Sequence, residues 1–460
     1  MEITPVKQAK KSQKRTASKV SKVVKHVQHV AGQFEFEKPY SEEDYQGFID
    51  YMANTTTLKL TWDIIKPMVY TLSLVLSFLS IPLDPLEKGV TYGSPSMFFL
   101  GAYSGGVCFT LVFKHYFPEA GVTYSDMLAI GGIGTSVYTA TYVIISVYIC
   151  YPYPFAIIVP CNTAVPVIIF LTISRYNSRI KDLPHYRQNI WICLKSLCAV
   201  WSLFIVYPGL IQFYFKDPDN HVLQLAITSL LFIVRRIYKK FIAQCSMGAD
   251  KHAPHFAVML INCFHTVYIS ITLQQGVSIG IFFIVMVIDL SGNVISFRQL
   301  KELSANIDCS MIGSTEDRSK NTITVERKLL ALSENIALVE YCECLVPLAF
   351  GVIAVFFYFH PNGQYIPMFH PDFFTQAQLI QSQKSLLLYA FAEITFLLIF
   401  GRIVMGKLNI PFASQLGYIL SRNTFETTVY TTTWFMFSLT GLLEQAGHDW
   451  TFKFDWDCQT

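Results

Sequence analysis

Four ionisable side chains inside long apolar runs of the sequence stand out as the residues best placed to do chemistry. They are Lys195, His265, Asp289 and Glu393. A charged side chain at the centre of a bilayer costs about 2.5–3.5 kcal/mol on insertion scales, so such a residue generally has a partner or a function. A neutral imidazole beside a carboxylate can relay a proton. His265 and Glu393 are therefore candidate proton-coupling residues.

Each of these residues also has a purely structural interpretation. Lys195 and Asp289 both fall on the inner side of the middle of their runs, and we favour an interhelical ion pair that only ties two helices together. His265 fits a packing histidine better than a proton site. Glu393 is the stronger clue, because the stretch around it, FAEITFLLIF, contains no base.

A second candidate site lies in the uncharged run Phe155–Ser174, which contains two prolines. Proline removes a backbone N–H and displaces the carbonyl four residues earlier, so Pro166 frees the carbonyl of Asn162. In a bilayer such a group needs a protein partner or a water-filled cavity. We predict that Pro160, Asn162 and Pro166 form either a polar site that contacts a substrate or a well-packed kink.

The sequence lacks the common motifs of enzymes and of cofactor-binding proteins. It contains no Walker A sequence, no G-x-S-x-G and no H-E-x-x-H. No nucleic-acid-binding motif is present either, so we expect no nucleic-acid partner. We expect no cofactor, no metal and no catalytic residue, and we favour a function other than that of an enzyme.

The cysteines of the apolar runs, such as Cys150 and Cys263, are interpreted as packing residues, since buried cysteine behaves as a small hydrophobe. Cys342 and Cys344 are two residues apart on a predicted helix and point to different faces, which makes them a poor metal pair. No spacing indicates a disulfide framework.

The composition explains why these residues must be positioned by membrane helices. Of 460 residues, 52% are hydrophobic and 15% are charged, whereas about 25% are charged in an ordinary soluble domain. The sequence predicts an all-α, polytopic membrane bundle of about eleven transmembrane helices. The apolar runs lie at residues 64–83, 97–113, 127–149, 155–174, 190–210, 222–234, 255–273, 276–296, 339–359, 386–404 and 425–443.

The basic residues predict how the chain is oriented. With eleven spans, 29 of the 35 Lys and Arg residues fall on the side of the N-terminus and only 4 on the other side. Cytoplasmic loops carry this excess, so we predict a cytoplasmic N-terminus and a C-terminus outside. The sixth run is short for a full span, but without it the asymmetry is lost.

Small residues recur at four-residue spacing in two of the predicted spans. One stripe is Gly101-x-x-x-Gly105, and another includes Gly132 and Ser136, next to Gly131. Small residues let helix backbones approach closely in a bilayer, so we predict tight packing at these stripes.

The order of polar and apolar segments predicts five regions. Residues 1–63 form a basic, polar cytoplasmic segment, with either an interfacial helix at about 19–31 that binds anionic lipids or a disordered tail. Residues 64–296 contain membrane helices one to eight, and 297–338 form a flexible cytoplasmic loop. Residues 339–443 contain helices nine to eleven, and 444–460 form a short tail outside.

The hypothesis that best fits these features is a secondary transporter or channel-like permeation protein for a small solute, coupled to protons. One alternative is a membrane scaffold or receptor-like protein that binds partners through residues 1–63 and the 297–338 loop. Another is an intramembrane lipid-modifying transferase with His265 as its base. All three place the chain in the lipid bilayer of the plasma membrane or an endomembrane, with the oligomeric state open.

Overall fold

The computed structural model describes residues 40–183, 186–216, 220–246, 253–274, 279–310, 315–372, 374–408 and 410–447. These residues form helices joined by turns, with no strand among them, so the all-α prediction is confirmed for this part of the chain. In chain order the α-helices are α1 (Glu42–Asn54), α2 (Thr57–Leu79), α3 (Gly93–Tyr116), α4 (Tyr124–Tyr148), α5 (Ile158–Lys181), α6 (Tyr186–Lys216), α7 (His221–Ser246), α8 (Ala253–Gln274), α9 (Ile279–Ser310), α10 (Thr315–Phe359), α11 (Gln376–Leu408), α12 (Phe412–Arg422) and α13 (Thr424–Thr440).

The chain divides into two compact units. The smaller unit comprises residues 1–40 and 288–332, and within it the Tyr40 amide donates a hydrogen bond to the Arg327 carbonyl at 3.4 Å. The larger unit comprises residues 41–287 and 333–460, and it contains the helix contacts and the candidate site. The predicted interfacial helix at 19–31 lies outside the described residues.

Eight of the described helices are long and apolar enough to cross a membrane. They are α2, α3, α4, α5, α6, α9, α10 and α11. The chain is therefore compatible with a multi-pass membrane protein. The predicted sixth, seventh and eleventh spans fall on α7, α8 and α13, which are not among these eight.

The helices extend further than the apolar runs do. The predicted flexible loop at 297–338 is helical at 297–310 and 315–338, as parts of α9 and α10, while residues 311–314 lie outside the described residues. Good helix formers such as Lys301, Glu302 and Leu329 continue the helices beyond the apolar stretches. A rule based on hydropathy detects the apolar part of a helix and misses its polar continuation.

Side-chain caps fix where several helices begin. The Ser41 hydroxyl accepts a hydrogen bond from the Asp44 amide at 3.1 Å at the start of α1. The Thr123 hydroxyl does the same for the Asp126 amide at 3.2 Å at the start of α4. Each cap satisfies an amide that the first helical turn leaves without a partner.

Helix α13 forms the centre of the larger unit and packs against α2, α3 and α8. Of its 17 residues, 13 are buried. Its threonines are accommodated there because hydroxyls such as those of Thr428 and Thr433 donate hydrogen bonds to carbonyls of the same helix. The Thr431 hydroxyl also contacts the hydroxyl of Thr71 on α2 at 2.5 Å.

Helices α3 and α4 approach each other at glycines that adjoin the predicted small-residue stripes. A Cβ atom added to Gly106 would lie 3.0 Å from the Gly131 carbonyl oxygen and 3.1 Å from its Cα. Three residues further along α4, a Cβ atom added to Gly134 would overlap a side-chain carbon of Ile168 on α5. These positions admit glycine because a larger residue would push the helices apart.

Hydrogen bonds gather the connecting segments of the larger unit at two ends. At the first, the Arg422 guanidinium of α12 contacts the Asp44 carboxylate of α1 at 2.6 Å; we call this the Ser41 end. At the second, the Asn362 side-chain amide donates to the carbonyls of Leu79 and Ile81, each at 2.7 Å.

The second end also contains the last described residues. The amide of Ala156, just before α5, donates to the Ala446 carbonyl at 2.9 Å, and the Gln445 side-chain amide donates to the Asp84 carbonyl at 3.4 Å. We call this the Gly447 end. The charge pattern assigns the connecting segments at the Ser41 end to one side of the membrane. It assigns those at the Gly447 end to the other side.

Cys150 corrects the interpretation of the cysteines. Its apolar surroundings in the sequence predict a packing residue, but the structure has Cys150 in a disulfide bond. It lies between α4 and α5, at the Gly447 end. The interpretation failed because a cysteine at the edge of an apolar run has the same sequence environment whether it packs or pairs.

Candidate functional site

Three buried glutamates converge in the larger unit. Glu340 and Glu343 lie on α10 and Glu393 lies on α11, with exposed fractions of 1%, 2% and 0%. One carboxylate oxygen from each lies within 4.8 Å of the others. We call these three residues the carboxylate cluster.

The helices bring these carboxylates together for simple geometric reasons. Residues three apart in an α-helix share a face, so Glu340 and Glu343 project to the same side of α10. Helix α11 is joined to α10 further along, where the Gln383 side-chain amide donates to the Gly351 carbonyl at 3.1 Å. Glu393, ten residues after Gln383, then faces the α10 pair.

Helices α7 and α8 supply the partners of the cluster. The guanidinium of Arg235 on α7 contacts the Glu343 carboxylate, and its Nε donates to Asn262 Oδ1 on α8 at 2.9 Å. The Arg235 side chain is 12% exposed and Asn262 is fully buried. Lys239, one turn further along α7, is close enough to interact electrostatically with Glu340 and Glu343.

The three glutamates together with Arg235 and Lys239 carry one net negative charge when all five side chains are ionised. Two like charges 4.8 Å apart repel by about 3.5 kcal/mol at an effective dielectric constant of about 20. Three such pairs would repel by on the order of 10 kcal/mol, comparable to a typical folding free energy of about 5–15 kcal/mol. Arg235 and Lys239 offset part of this repulsion.

His265 lies beside this network, three residues after Asn262 on the same helix. It is 2% exposed, and its Nδ1 lies 3.2 Å from the Tyr207 hydroxyl. The ring of Phe232 packs against the imidazole at a centroid distance of 4.8 Å. Its Nε2 has no hydrogen-bond partner among the described residues. This environment combines tight packing with one buried nitrogen that can accept or donate a proton.

The structure does not gather Asn162 with His265 and Glu393. The Asn162 side chain is exposed on α5, which packs mainly against α4 and also against α3. His265 lies on α8, which packs against α7, α11 and α13. The contacts of the described helices therefore do not favour one cavity that contains both the Asn162 site and His265.

The fourth span has one internal proline rather than two breaks. Helix α5 begins at Ile158, so Pro160 lies in its first turn, where a missing amide costs no hydrogen bond. Pro166 lies inside the helix, which continues through it. The hydroxyl of Thr163 donates to the Pro160 carbonyl at 2.7 Å, and it lies 2.9 Å from the Thr141 hydroxyl on α4.

Lys195 and Asp289 have different environments. The Lys195 side chain is exposed, and its ammonium lies 5.4 Å from the centre of the Trp191 ring one turn earlier on α6. Asp289, on α9 in the smaller unit, is 6% exposed. The ion pair between them stays a prediction.

Four residues in or beside the carboxylate cluster are not among the candidates that the sequence singles out. Arg235 directly follows the short sixth run and falls among the basic residues of a predicted loop, while Glu340 and Glu343 lie near the start of the ninth run. Asn262 carries no charge and so was not sought. The available signal was the Glu340-x-x-Glu343 spacing at the start of an apolar run, because it places two acids on one face of a buried helix.

Comparisons with protein-family models, with curated proteins and with solved structures find no match to this chain.

Proposed function

We propose that the protein is a proton-coupled secondary transporter, or a channel-like permeation protein, for a small solute. The observation that carries this proposal is the convergence of three buried carboxyl groups in the carboxylate cluster, among apolar helices. Ionisable groups at such positions in membrane proteins mark proton relays and ion pathways.

Within this proposal Glu393 holds the exchangeable proton. It is the only member of the carboxylate cluster on α11, so its protonation weakens the repulsion between α11 and the acidic face of α10. Arg235 fixes Glu343 in its ionised form by a direct contact. His265, three residues after Asn262 on α8, relays protons to the carboxylate cluster.

A substrate contact at Asn162 and Pro166 forms a separate part of the proposal. Pro166 lacks the amide that would bond the Asn162 carbonyl, and the Asn162 side chain is exposed. Such a site would lie on the surface of α5 rather than in a cavity shared with Glu393.

We also propose that the Ser41 end faces the cytoplasm and the Gly447 end faces the outside or an organelle lumen. The disulfide at Cys150 supports this orientation, because disulfides persist in oxidising compartments and are rare in the cytosol. The excess of Lys and Arg in the segments that the sequence assigns to the cytoplasmic side supports the same orientation independently, because cytoplasmic loops carry this excess.

Uptake by proteoliposomes tests the proposal. The full-length protein is reconstituted, an inward proton gradient is imposed, and pools of labelled amino acids, sugars, organic acids and nucleosides are screened. We expect uptake of at least one pool that collapses with the gradient and that Glu393→Gln abolishes, because glutamine cannot exchange a proton.

Glu87→Gln is the matched control, since it makes the same chemical change at an exposed position and should leave uptake unchanged. Size-exclusion profiles establish that both variants are folded. Absence of gradient-driven uptake across the pools, or equal uptake by Glu393→Gln and the unsubstituted chain, contradicts proton-coupled transport.

A further inference from the structure

Three sulfur atoms meet between α8 and α10. The Sγ atoms of Cys263 and Cys342 are 3.3 Å apart, and Cys342 Sγ lies 3.7 Å from Met259 Sδ. Met259 and Cys263 are four residues apart on α8 and therefore share the face that meets Cys342 on α10. The same geometry explains why Cys342 and Cys344 do not act as a pair, since their side chains leave α10 in different directions.

All three sulfurs are in the interior of the larger unit. Met259 and Cys342 are fully buried and Cys263 is 1% exposed. Both cysteines are free thiols. Two thiols and a thioether within van der Waals contact form a set of soft donors drawn from two helices.

The donor chemistry selects one class of ion. Thiolate and thioether sulfur favour Cu(I), whereas Mg²⁺, Ca²⁺ and Mn²⁺ prefer oxygen ligands. Structural zinc generally has four nitrogen or sulfur ligands, and thioether is not among its usual ones. Metal–sulfur bonds of about 2.3 Å place the sulfurs of a trigonal site about 4 Å apart, so the two measured separations need to open by less than about 1 Å.

We propose that Met259, Cys263 and Cys342 form a binding site for Cu(I). Binding replaces the two thiol S–H bonds by two S–Cu bonds and releases two protons, and copper stays in the +1 state. The site then carries one net negative charge. Arg235, which contacts Glu343 next to Cys342 in the chain, lies close enough to offset part of this charge.

An occupied site would couple α8 and α10, the two helices that also contact Arg235 through Asn262 and Glu343. Asn262 precedes Cys263 on α8 and binds Arg235, while Glu343 follows Cys342 on α10. Copper would therefore join α8 to α10 at the position where both helices contact Arg235. This inference is independent of the proposed transport activity.

Titration of the purified full-length chain with Cu(I) tests the site. The protein is kept anaerobic and reduced in detergent, and a chromophoric Cu(I) chelator competes for the metal. We expect one tightly held Cu(I) per chain and a first coordination shell of sulfur atoms by X-ray absorption spectroscopy. Cys263→Ser, Cys342→Ser and Met259→Leu should each weaken binding by about tenfold or more.

Cys193→Ser is the matched control, since it removes another buried thiol at a distance from this site on α6 and should leave binding unchanged. Met259→Leu conserves volume and keeps the test valid where a serine variant fails to fold. The proposal is overturned if the chain holds no Cu(I), if binding survives the double Cys263→Ser/Cys342→Ser change, or if the pair only forms a disulfide on oxidation.

Discussion

At the scale of residues, the decisive property is the balance of charge around Glu340, Glu343 and Glu393. Each carboxylate alone would be expensive to bury, and together they repel by on the order of 10 kcal/mol when ionised. Arg235 makes the arrangement tolerable by combining a contact to Glu343 with a hydrogen bond to Asn262. A buried cation held by two partners on different helices is therefore a strong structural constraint.

Replacement of Arg235 by glutamine should destabilise the protein strongly. Removal of one partner of a buried ion pair typically costs about 3–5 kcal/mol, because the other charge stays buried without compensation. Thermal unfolding followed by intrinsic fluorescence in detergent should show a clear drop in Tm.

Arg175→Gln provides the comparison for this variant. The Arg175 side chain is 66% exposed and lies 3.5 Å from the Asp126 carboxylate, so its loss should cost less than about 1 kcal/mol. Equal drops in Tm in the two variants would show that the Arg235–Glu343 pair stabilises the protein no more than an exposed ion pair does.

The residue scale also shows what sequence reasoning can and cannot find. Glu393 stands out because the stretch around it, FAEITFLLIF, contains no base, and it does lie in a buried acidic cluster. Its partners do not stand out, since Glu340, Glu343 and Arg235 sit at the polar edges of their runs. Which edge residues become buried depends on how far each helix extends past the bilayer and which helices adjoin it.

At the scale of elements, the small-residue stripes were the most informative local pattern. They predict close helix approach, and the structure shows it for α3 and α4 at the adjoining residues Gly106 and Gly131 rather than at the stripe positions themselves. The stripe that begins at Gly101 contributes differently, because Gly105 faces the Phe437 ring near α13. Spacing thus predicts that a close approach occurs but does not identify the partner helix.

Gly106→Ala should lower the Tm, although alanine is the better helix former. The new Cβ would lie 3.0–3.1 Å from backbone atoms of Gly131, which cannot move independently of α4. Gly406→Ala on α11 is the control, since nothing lies within 4 Å of its added Cβ. It should raise the free energy of unfolding by up to about 1 kcal/mol. Matching shifts in both variants would exclude a tight α3–α4 contact.

At the scale of elements, the structure also corrects the prediction of two breaks in the fourth span. Two prolines in one apolar run suggest two breaks, but the position of the helix start decides their effect. Because α5 begins at Ile158, Pro160 falls in the first turn and only Pro166 interrupts the hydrogen-bond ladder. The helix start could not be read from the apolar run, which begins three residues earlier at Phe155.

At the scale of the whole molecule, charge asymmetry and hydrogen bonding give the same grouping of connecting segments at two ends. Segments around Asp44 and Arg422 belong to one end, and those around Asn362 and Gly447 to the other. The sequence correctly predicted an all-helical, apolar bundle. It could not resolve the span count, because α13 has only 17 residues and α7 continues into the basic residues that follow its short apolar run.

Cysteine labelling in sealed cells or vesicles tests the orientation. Glu87 and Glu119 are both exposed and lie in connections at the Gly447 and Ser41 ends. A membrane-impermeant maleimide should label Glu87→Cys from the outer or lumenal side. It should label Glu119→Cys only after permeabilisation. The unsubstituted chain gives the background from native thiols.

The reverse labelling pattern would invert the proposed topology. Glycosylation gives a second check, because the sequon Asn54-Thr55-Thr56 lies between α1 and α2 at the Ser41 end. A cytoplasmic Ser41 end predicts that Asn54 carries no glycan, and a glycan there would contradict the orientation.

Proton movement itself tests the central claim most directly. Proteoliposomes that enclose a pH-sensitive dye are exposed to a proton gradient with the transported solute present, and the lumenal pH is followed over time. The proposal predicts solute-dependent proton entry in the unsubstituted protein and in Glu87→Gln, and none in Glu393→Gln at equal reconstitution. Proton entry that is the same with and without the solute, or unchanged in Glu393→Gln, would contradict it.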